Sequence, residues 1–165
     1  MNSLLLHLRR HGLFYLALIL FSVFYFSGLP QVPYHPDEST QIWMSEDYAL
    51  TVENVRSLVC MGESLIDART RYRLIDAPIT RLMIGFGRSL DHMPATRNDW
   101  NWGRSWDFNV QIGALPDPAL LTRARLSVAW LFPIGLGLFY LTAQRLRSRR
   151  FAWLCAVLLA FNALT

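Results

Sequence analysis

The sequence predicts an all-α fold, a polytopic helical membrane protein fragment with extracytoplasmic amphipathic helices between its first two spans. Three observations lead there. Apolar residues gather in three long runs instead of being spread along the chain. All 12 acidic residues fall between Asp37 and Asp117, whereas the stretches before and after carry arginine without carboxylates. Arginines cluster at 9–10 and again at 145–150, on the flanks of the apolar runs. By the excess of basic residues in cytoplasmic segments, those clusters assign the N-terminus and the second connection to the cytoplasm and residues 30–119 to the extracytoplasmic side. A bacterial inner membrane is the expected location.

The net charge is +4, and every basic residue other than histidine is arginine. A nucleic-acid footprint would need a clustered basic face, but the region from 37 to 117 sets eight arginines against 12 acids, so no nucleic-acid partner is expected. Cys60 lies in a polar region and Cys155 in an apolar run. They do not read as a bridging pair, and no cysteine-based metal motif follows.

The first expected span covers residues 12–29, preceded by Arg9 and Arg10. Its 18 residues reach roughly 27 Å as a helix, close to the ~30 Å of a bilayer interior. A cleaved signal sequence shares the basic start and apolar core. The run is long for such a core, no small-x-small cleavage site follows, and Phe24, Tyr25 and Phe26 resemble an interfacial aromatic belt, so an uncleaved span is the preferred reading.

Pro30, Pro33 and Pro36 prevent that helix from continuing. Pro36 then suits a first helical position, and Asp37 and Glu38 a first turn facing the positive end of the helix dipole, which predicts a helix from about Asp37 to about Leu50. From Thr51 to Arg73 the pattern weakens. Val52, Val55, Leu58 and Val59 fit a helical face, and the alternation of Arg69, Arg71 and Arg73 with Thr70 and Tyr72 predicts an irregular or extended connector. Asp76 is placed to cap a further helix whose apolar positions Ile79, Leu82, Met83, Phe86 and Leu90 recur at three- and four-residue spacing. Arg81 and Arg88 interrupt the stripe, so this helix is expected along the membrane surface or packed on another helix.

Asp91 to Pro118 reads as a polar connector centred on Trp100, Trp102 and Trp106. The tryptophans fit either a sugar-stacking surface or a membrane interface, and the interfacial reading is preferred. The second expected span covers 120–143, with Arg123 and Arg125 at its start and an apolar run from Leu126 to Ala143. Pro133, Gly135 and Gly137 would bend or thin it, which neighbouring helices support in membranes. The third, 151–165, holds about fourteen apolar residues, or roughly 21 Å of helix. On these grounds residues 1–165 are expected to form the N-terminal portion of one longer membrane domain.

The stretch His35-Pro36-Asp37-Glu38-Ser39, just beyond the first run, sets two carboxylates at the membrane edge. Pro-Asp-Glu-Ser is also ordinary first-turn chemistry, and the flanking spans tip the reading toward function. His35 beside Asp37 could serve a metal, but two ligands do not make a site. Together with Ile75-Asp76-Ala77-Pro78-Ile79, Ala124-Arg125-Leu126-Ser127 and the arginine-rich turn after the second run, the stretch resembles the start of the GT-C glycosyltransferases. The nearer likeness is to the branch holding protein O-mannosyltransferases and lipid A aminoarabinose transferases. The likeness covers nearly all of this chain but only the first part of such an enzyme.

The resemblance implies inverting transfer of a sugar from a polyprenyl-phosphate donor to a hydroxyl on lipid, glycan or protein. It implies that Asp37 is the general base or acceptor-positioning carboxylate, because an alcohol of high pKa needs a carboxylate in hydrogen-bond reach as it attacks. Glu38 points about 100° away around the helix and would orient the site. Asp76 stands where the family has a proline and is read as a helix cap or a second site carboxylate. His35 is a further binding candidate, and Arg81 and Arg125 are candidates for the donor phosphate, since guanidinium forks match phosphate oxygens. A divalent metal is conceivable in such a site, and no cofactor is otherwise implied. The contrasting reading is a non-catalytic membrane anchor or assembly partner that binds through its extracytoplasmic segment.

Overall fold

The structure, a computed structural model, describes residues 2–58 and 68–162. Among them it is all helical, with no strand. The helices are α1 (Asn2–Gly28), α2 (Pro36–Met44), α3 (Asp47–Asn54), α4 (Ala68–Ile75), α5 (Pro78–Leu90), α6 (Trp106–Gln111), α7 (Pro118–Ala129), α8 (Leu131–Leu146) and α9 (Arg149–Asn162). Short 3₁₀ turns follow α1 at Leu29–Gln31 and α3 at Val55–Leu58. Val59 and Cys60, along with Ala163 to Thr165 at the end of the third run, lie outside the described residues. The chain divides into two compact units, one holding residues up to Gln31 and from Ala129 onward, the other Val32–Val128.

Among the described residues two segments, Arg9–Gln31 and Pro118–Leu146, are long and apolar enough to cross a membrane. In the first unit α1 begins ten residues before the expected span, because nothing between Asn2 and Gly12 breaks a helix. Its outward side chains remain apolar, with Leu13, Leu16, Leu20 and Phe24 all exposed, a pattern suited to lipid rather than water. The inward side is aromatic. Phe14 stacks on Tyr140 of α8 at 3.6 Å, and Trp153 of α9 meets both rings edge-on at 5.7 and 5.9 Å. On α9, Ala152, Ala156 and Ala160 recur every four residues and are buried, so that α8 and α9 approach closely through small side chains. Helix α9 has 14 residues, about 21 Å, short of a full crossing by itself.

In the second unit, Ile42, Ile84, Leu120 and Ala124 form the core, drawn from α2, α5 and α7. The helix expected over 37–50 is broken: α2 ends at Met44, the Ser45 hydroxyl bonds back to the Ile42 carbonyl at 2.5 Å, and α3 starts afresh at Asp47. The break turns Asp47 inward, where its carboxylate, 1% exposed, lies 2.6 Å from Arg73 and 3.2 Å from Arg81. The Arg81 Nε is near enough for an ion pair but poorly aligned for a hydrogen bond, so Arg73 is the better partner.

These pairs also explain why residues 68–75 are helical where a connector was expected. A helix puts Arg69 and Arg73 on one side, with Arg69 reaching Glu46 at 2.5 Å and Arg73 reaching Asp47. Asp76 is one residue too early to cap α5. The cap position is Ala77, which offers no side-chain acceptor, and Pro78 takes the first helical position. Asp117, by contrast, caps α7 by accepting from the Ala119 and Leu120 amides at 2.9 Å.

The connector from 91 to 117 is tied shut. The Arg97 amide donates to Gly113 at 3.0 Å, the Asn98 amide side chain to Ile112 at 2.6 Å, and fully buried Asn109 bonds Asn101 and Ser105. Gly113 holds φ +75°, a left-handed conformation suited to glycine.

Helix α5 approaches its neighbours through glycine. A Cβ at Gly85 would overlap the Ser45 carbonyl and Tyr48 Cβ, while one at Gly135 of α8 meets nothing within 4 Å. Gly85→Ala is therefore expected to destabilise the second unit by about 2 kcal/mol or more, since backbone is hard to displace. Gly135→Ala should be neutral or gain up to ~1 kcal/mol of helix propensity. Thermal unfolding of the two purified variants, followed by circular dichroism, checks the contrast.

Candidate functional site

The site grows from the start of α2. Pro36 fixes the first helical position, and His35 before it forms a reciprocal cap: the Asp37 amide donates to His35 Nδ1 at 3.3 Å and the His35 amide donates to Glu38 Oε2 at 2.9 Å. His35 Nδ1 also lies 3.4 Å from Asp37 Oδ2, an ion pair only if the ring is protonated. A ring protonated on both nitrogens could not accept the Asp37 amide, so the cap and the ion pair exclude each other.

Adjacent carboxylates meet opposite fates. Glu38 is held by Arg125 of α7 through two bonds, Nε to Oε1 at 2.6 Å and Nη2 to Oε2 at 2.8 Å. Arg125 further donates to the Val32 and Pro33 carbonyls at 2.8 and 3.1 Å, fixing the proline turn that leads into α2. Burial alone would push the Glu38 carboxyl up, but the Arg125 bonds and the His35 amide outweigh it and hold it below the usual range. Asp37, about 100° further round the helix, keeps a largely exposed carboxylate.

That carboxylate lines a cavity of about 260 Å³ with Thr40, Gln41, Tyr72, Asp76 and Trp102. Asp37, Thr40 and Gln41 share one face of α2 at i, i+3 and i+4. Gln41 Nε2 donates to Asp76 at 3.2 Å, while Gln41 Oε1 is buried with no hydrogen-bond partner among the described residues. Flipping the amide would set oxygen against the Asp76 carboxylate, so the Oε1 acceptor remains buried without a partner among the described residues.

Asp99 underlies the cavity. It accepts from Thr40 Oγ1 at 2.6 Å and from the Tyr72 hydroxyl at 2.9 Å. Burial, followed by this bond to Asp99, pushes the Tyr72 phenol up to about 12, so it stays a neutral donor fixed to Asp99.

Of the residues singled out in the sequence, Asp37 and Asp76 line the cavity, and His35 and Glu38 flank it through the cap. Arg125 reaches it only through Glu38. Arg81 is buried, committed to Asp47 and to the Asp76 carbonyl at 3.3 Å. Trp100 is buried in an aromatic group with Tyr34 and Trp106, at 5.8 and 5.2 Å, whereas Trp102 stays exposed 6.1 Å from the His35 ring. Thr40, Gln41, Tyr72 and Asp99 were not singled out. The i, i+3, i+4 relation to Asp37 could have found the first two, but no local signal marks Asp99. Among the described residues no group of three or more His, Cys, Asp or Glu is placed to hold a metal ion.

A glutamate whose folded pKa is depressed stabilises the fold fully above its unfolded pKa and loses that contribution as pH falls through the folded value. Unfolding temperature should therefore fall on the acid side of the ordinary glutamate range, with less of that decline in Glu38→Gln. At neutral pH the same variant is expected to lose about 1–3 kcal/mol through the weakened charge-assisted pair. A pH series of thermal melts on both proteins checks both. Comparisons with protein-family models, curated proteins and solved structures found no match.

Proposed function

We propose that this chain belongs to a membrane glycosyltransferase and that the cavity beside Asp37 receives a hydroxyl-bearing acceptor on the extracytoplasmic side. The observation that carries the reading is the division between the two neighbouring acids. Glu38 is engaged by Arg125, while Asp37 lines a cavity together with Asp76, Gln41 and Trp102. Acidic and amide side chains beside an exposed aromatic face suit a sugar or other polyol, whose hydroxyls need acceptors and whose ring faces stack.

In the proposed reaction the Asp37 carboxylate takes the proton of the acceptor hydroxyl as its oxygen attacks the anomeric carbon. The bond from that carbon to the polyprenyl phosphate breaks, its electron pair leaves on the phosphate, and the anomeric configuration inverts. Asp76 and Gln41 position the acceptor. Arg125 is the candidate for the donor phosphate, which would compete with Glu38 for the same guanidinium. The two candidate spans and the arginine clusters at 9–10 and 145–150 support a cytoplasmic N-terminus in an inner membrane, with residues 30–119 outside.

Asp37→Asn keeps the side-chain size and the Asp37 backbone amide that caps on His35, so the protein should accumulate and fold normally. Transfer of labelled sugar from a polyprenyl-phosphate donor, measured in membranes carrying the protein, should drop roughly 10²- to 10⁴-fold, the range for loss of a general base. Unchanged transfer in Asp37→Asn would remove Asp37 from the chemistry. Absence of transfer by the parent protein toward lipid, glycan and protein acceptors alike would favour the anchor or assembly-partner reading.

A further inference from the structure

Helix α5 has its polarity reversed. Its buried residues are Arg81, Ile84, Gly85, Gly87 and Arg88, while Ile79, Phe86 and Leu90 are 54%, 51% and 58% exposed. At ~100° per residue those three apolar side chains fall within about 40° of one another, and Arg88 lies nearly opposite. The inward arginines have partners: Arg81 meets Asp47, and Arg88 donates to Ser45 Oγ at 2.7 Å and to the Met93 carbonyl at 2.6 Å. The second unit thus takes both arginines of α5 into its interior along with Ile84 and the glycines, and leaves the stripe of Ile79, Phe86 and Leu90 outside. Phe86 also meets the Tyr48 ring at 6.0 Å, which carries the apolar surface onto α3, where Val52, one turn further, is exposed as well.

Position decides what covers that face. A Cβ at Gly87 would overlap the Ser127 hydroxyl, so α5 rests on α7 at Ser127. Ser127 is the second residue of the apolar run Leu126–Ala143, inside the candidate span Pro118–Leu146. Helix α5 is therefore held where that segment turns from polar to apolar, which is the level of a bilayer boundary if the segment crosses.

We propose that α5 is an interfacial helix whose Ile79–Phe86–Leu90 stripe inserts into the outer acyl region of the lipid beside α7. Lipid fits better than a protein partner because α5, through Gly87, touches a segment that becomes apolar at the point of contact. The inference rests on the membrane placement of Pro118–Leu146 and is independent of the transfer chemistry.

The test places a bimane label on single cysteines, Phe86→Cys and Leu90→Cys, in the full chain carrying Cys60→Ser and Cys155→Ser, reconstituted in phosphatidylcholine–phosphatidylglycerol nanodiscs. Leu138→Cys in the apolar run and Asp107→Cys in α6 serve as references, and far-UV circular dichroism confirms that each variant folds. The expected result is strong quenching of the labels at 86, 90 and 138 by doxyl-labelled lipid with protection from aqueous iodide, and the reverse at 107. Iodide quenching at 86 and 90 with lipid quenching at 138 would overturn the proposal while keeping the span. Protection of 86 and 90 from both quenchers, with cross-linking between copies, would replace lipid by a second chain. Iodide quenching at 138 would remove the span and the proposal together. Only loss of the span at 138 bears on the membrane placement of the transfer reading; the role of Asp37 is decided separately by the Asp37→Asn assay.

Discussion

The second unit depends on one guanidinium. Arg125 of α7 binds both oxygens of Glu38 and the carbonyls of Val32 and Pro33, residues 87 to 93 positions away in sequence. It thereby joins the last helix of the unit to its first turn. The planar fork matches two acceptor directions at once, which a lysine ammonium could not do from a single point. The proline turn it holds has few backbone donors of its own, since Pro30, Pro33 and Pro36 carry no N–H, so its carbonyls need an external donor. With the turn fixed, His35 can cap α2, and the cap sets the rotation of the helix about its axis. Everything the cavity presents from α2 follows from that rotation.

A second electrostatic centre, around Asp47, supports the same unit. Asp47 would be costly to bury alone, and it is buried with Arg73 from α4 and Arg81 from α5 at hand. This arrangement ties three helices through one carboxylate and draws the arginines of α5 inward. Ile79, Phe86 and Leu90 of α5 are displaced outward by the same rotation, because a helix that turns its arginines to the interior must turn its other side away. Gly85 and Gly87 permit the close approach that brings Arg81 and Arg88 to their partners. The reversed polarity of α5 and the buried Asp47 are thus one feature seen from two sides.

Much of the helical framework was legible in the sequence because it depends on local rules. The apolar runs, the proline break after α1 and the first-turn chemistry of Pro36, Asp37 and Glu38 all act within a few residues. What escaped was set by partners distant in sequence. The break at Ser45 carries neither proline nor glycine and depends on Asp47 finding arginines 26 and 34 residues later. The alternating arginines at 69, 71 and 73 read as extended chain until Glu46 and Asp47 selected the helix that groups two of them. Asp76 looked like a cap by composition and missed the position by one residue. Its contact with Gln41 could not be foreseen without the packing of α4 near α2. Asp99 lay inside a tryptophan-rich connector with no spacing to distinguish it, although it fixes both Thr40 and Tyr72.

The two acids at positions 37 and 38 show how helix geometry separates roles that sequence places side by side. Consecutive residues on a helix project about 100° apart, so a single partner cannot readily serve both. Once Arg125 takes Glu38, Asp37 must face elsewhere, and the face it occupies is shared with Thr40 and Gln41. Those two are held by Asp99 and Asp76, from two further segments of the chain. The Asp37 carboxylate lies beside its own cap residue, 3.4 Å from His35 Nδ1, and stays largely exposed. A carboxylate held as Glu38 is, by both Arg125 bonds and the His35 amide, is a poorer proton acceptor, because those bonds favour its charged form. Pairing Glu38 with Arg125 therefore fixes the helix with one acid and leaves the other acid turned to the cavity.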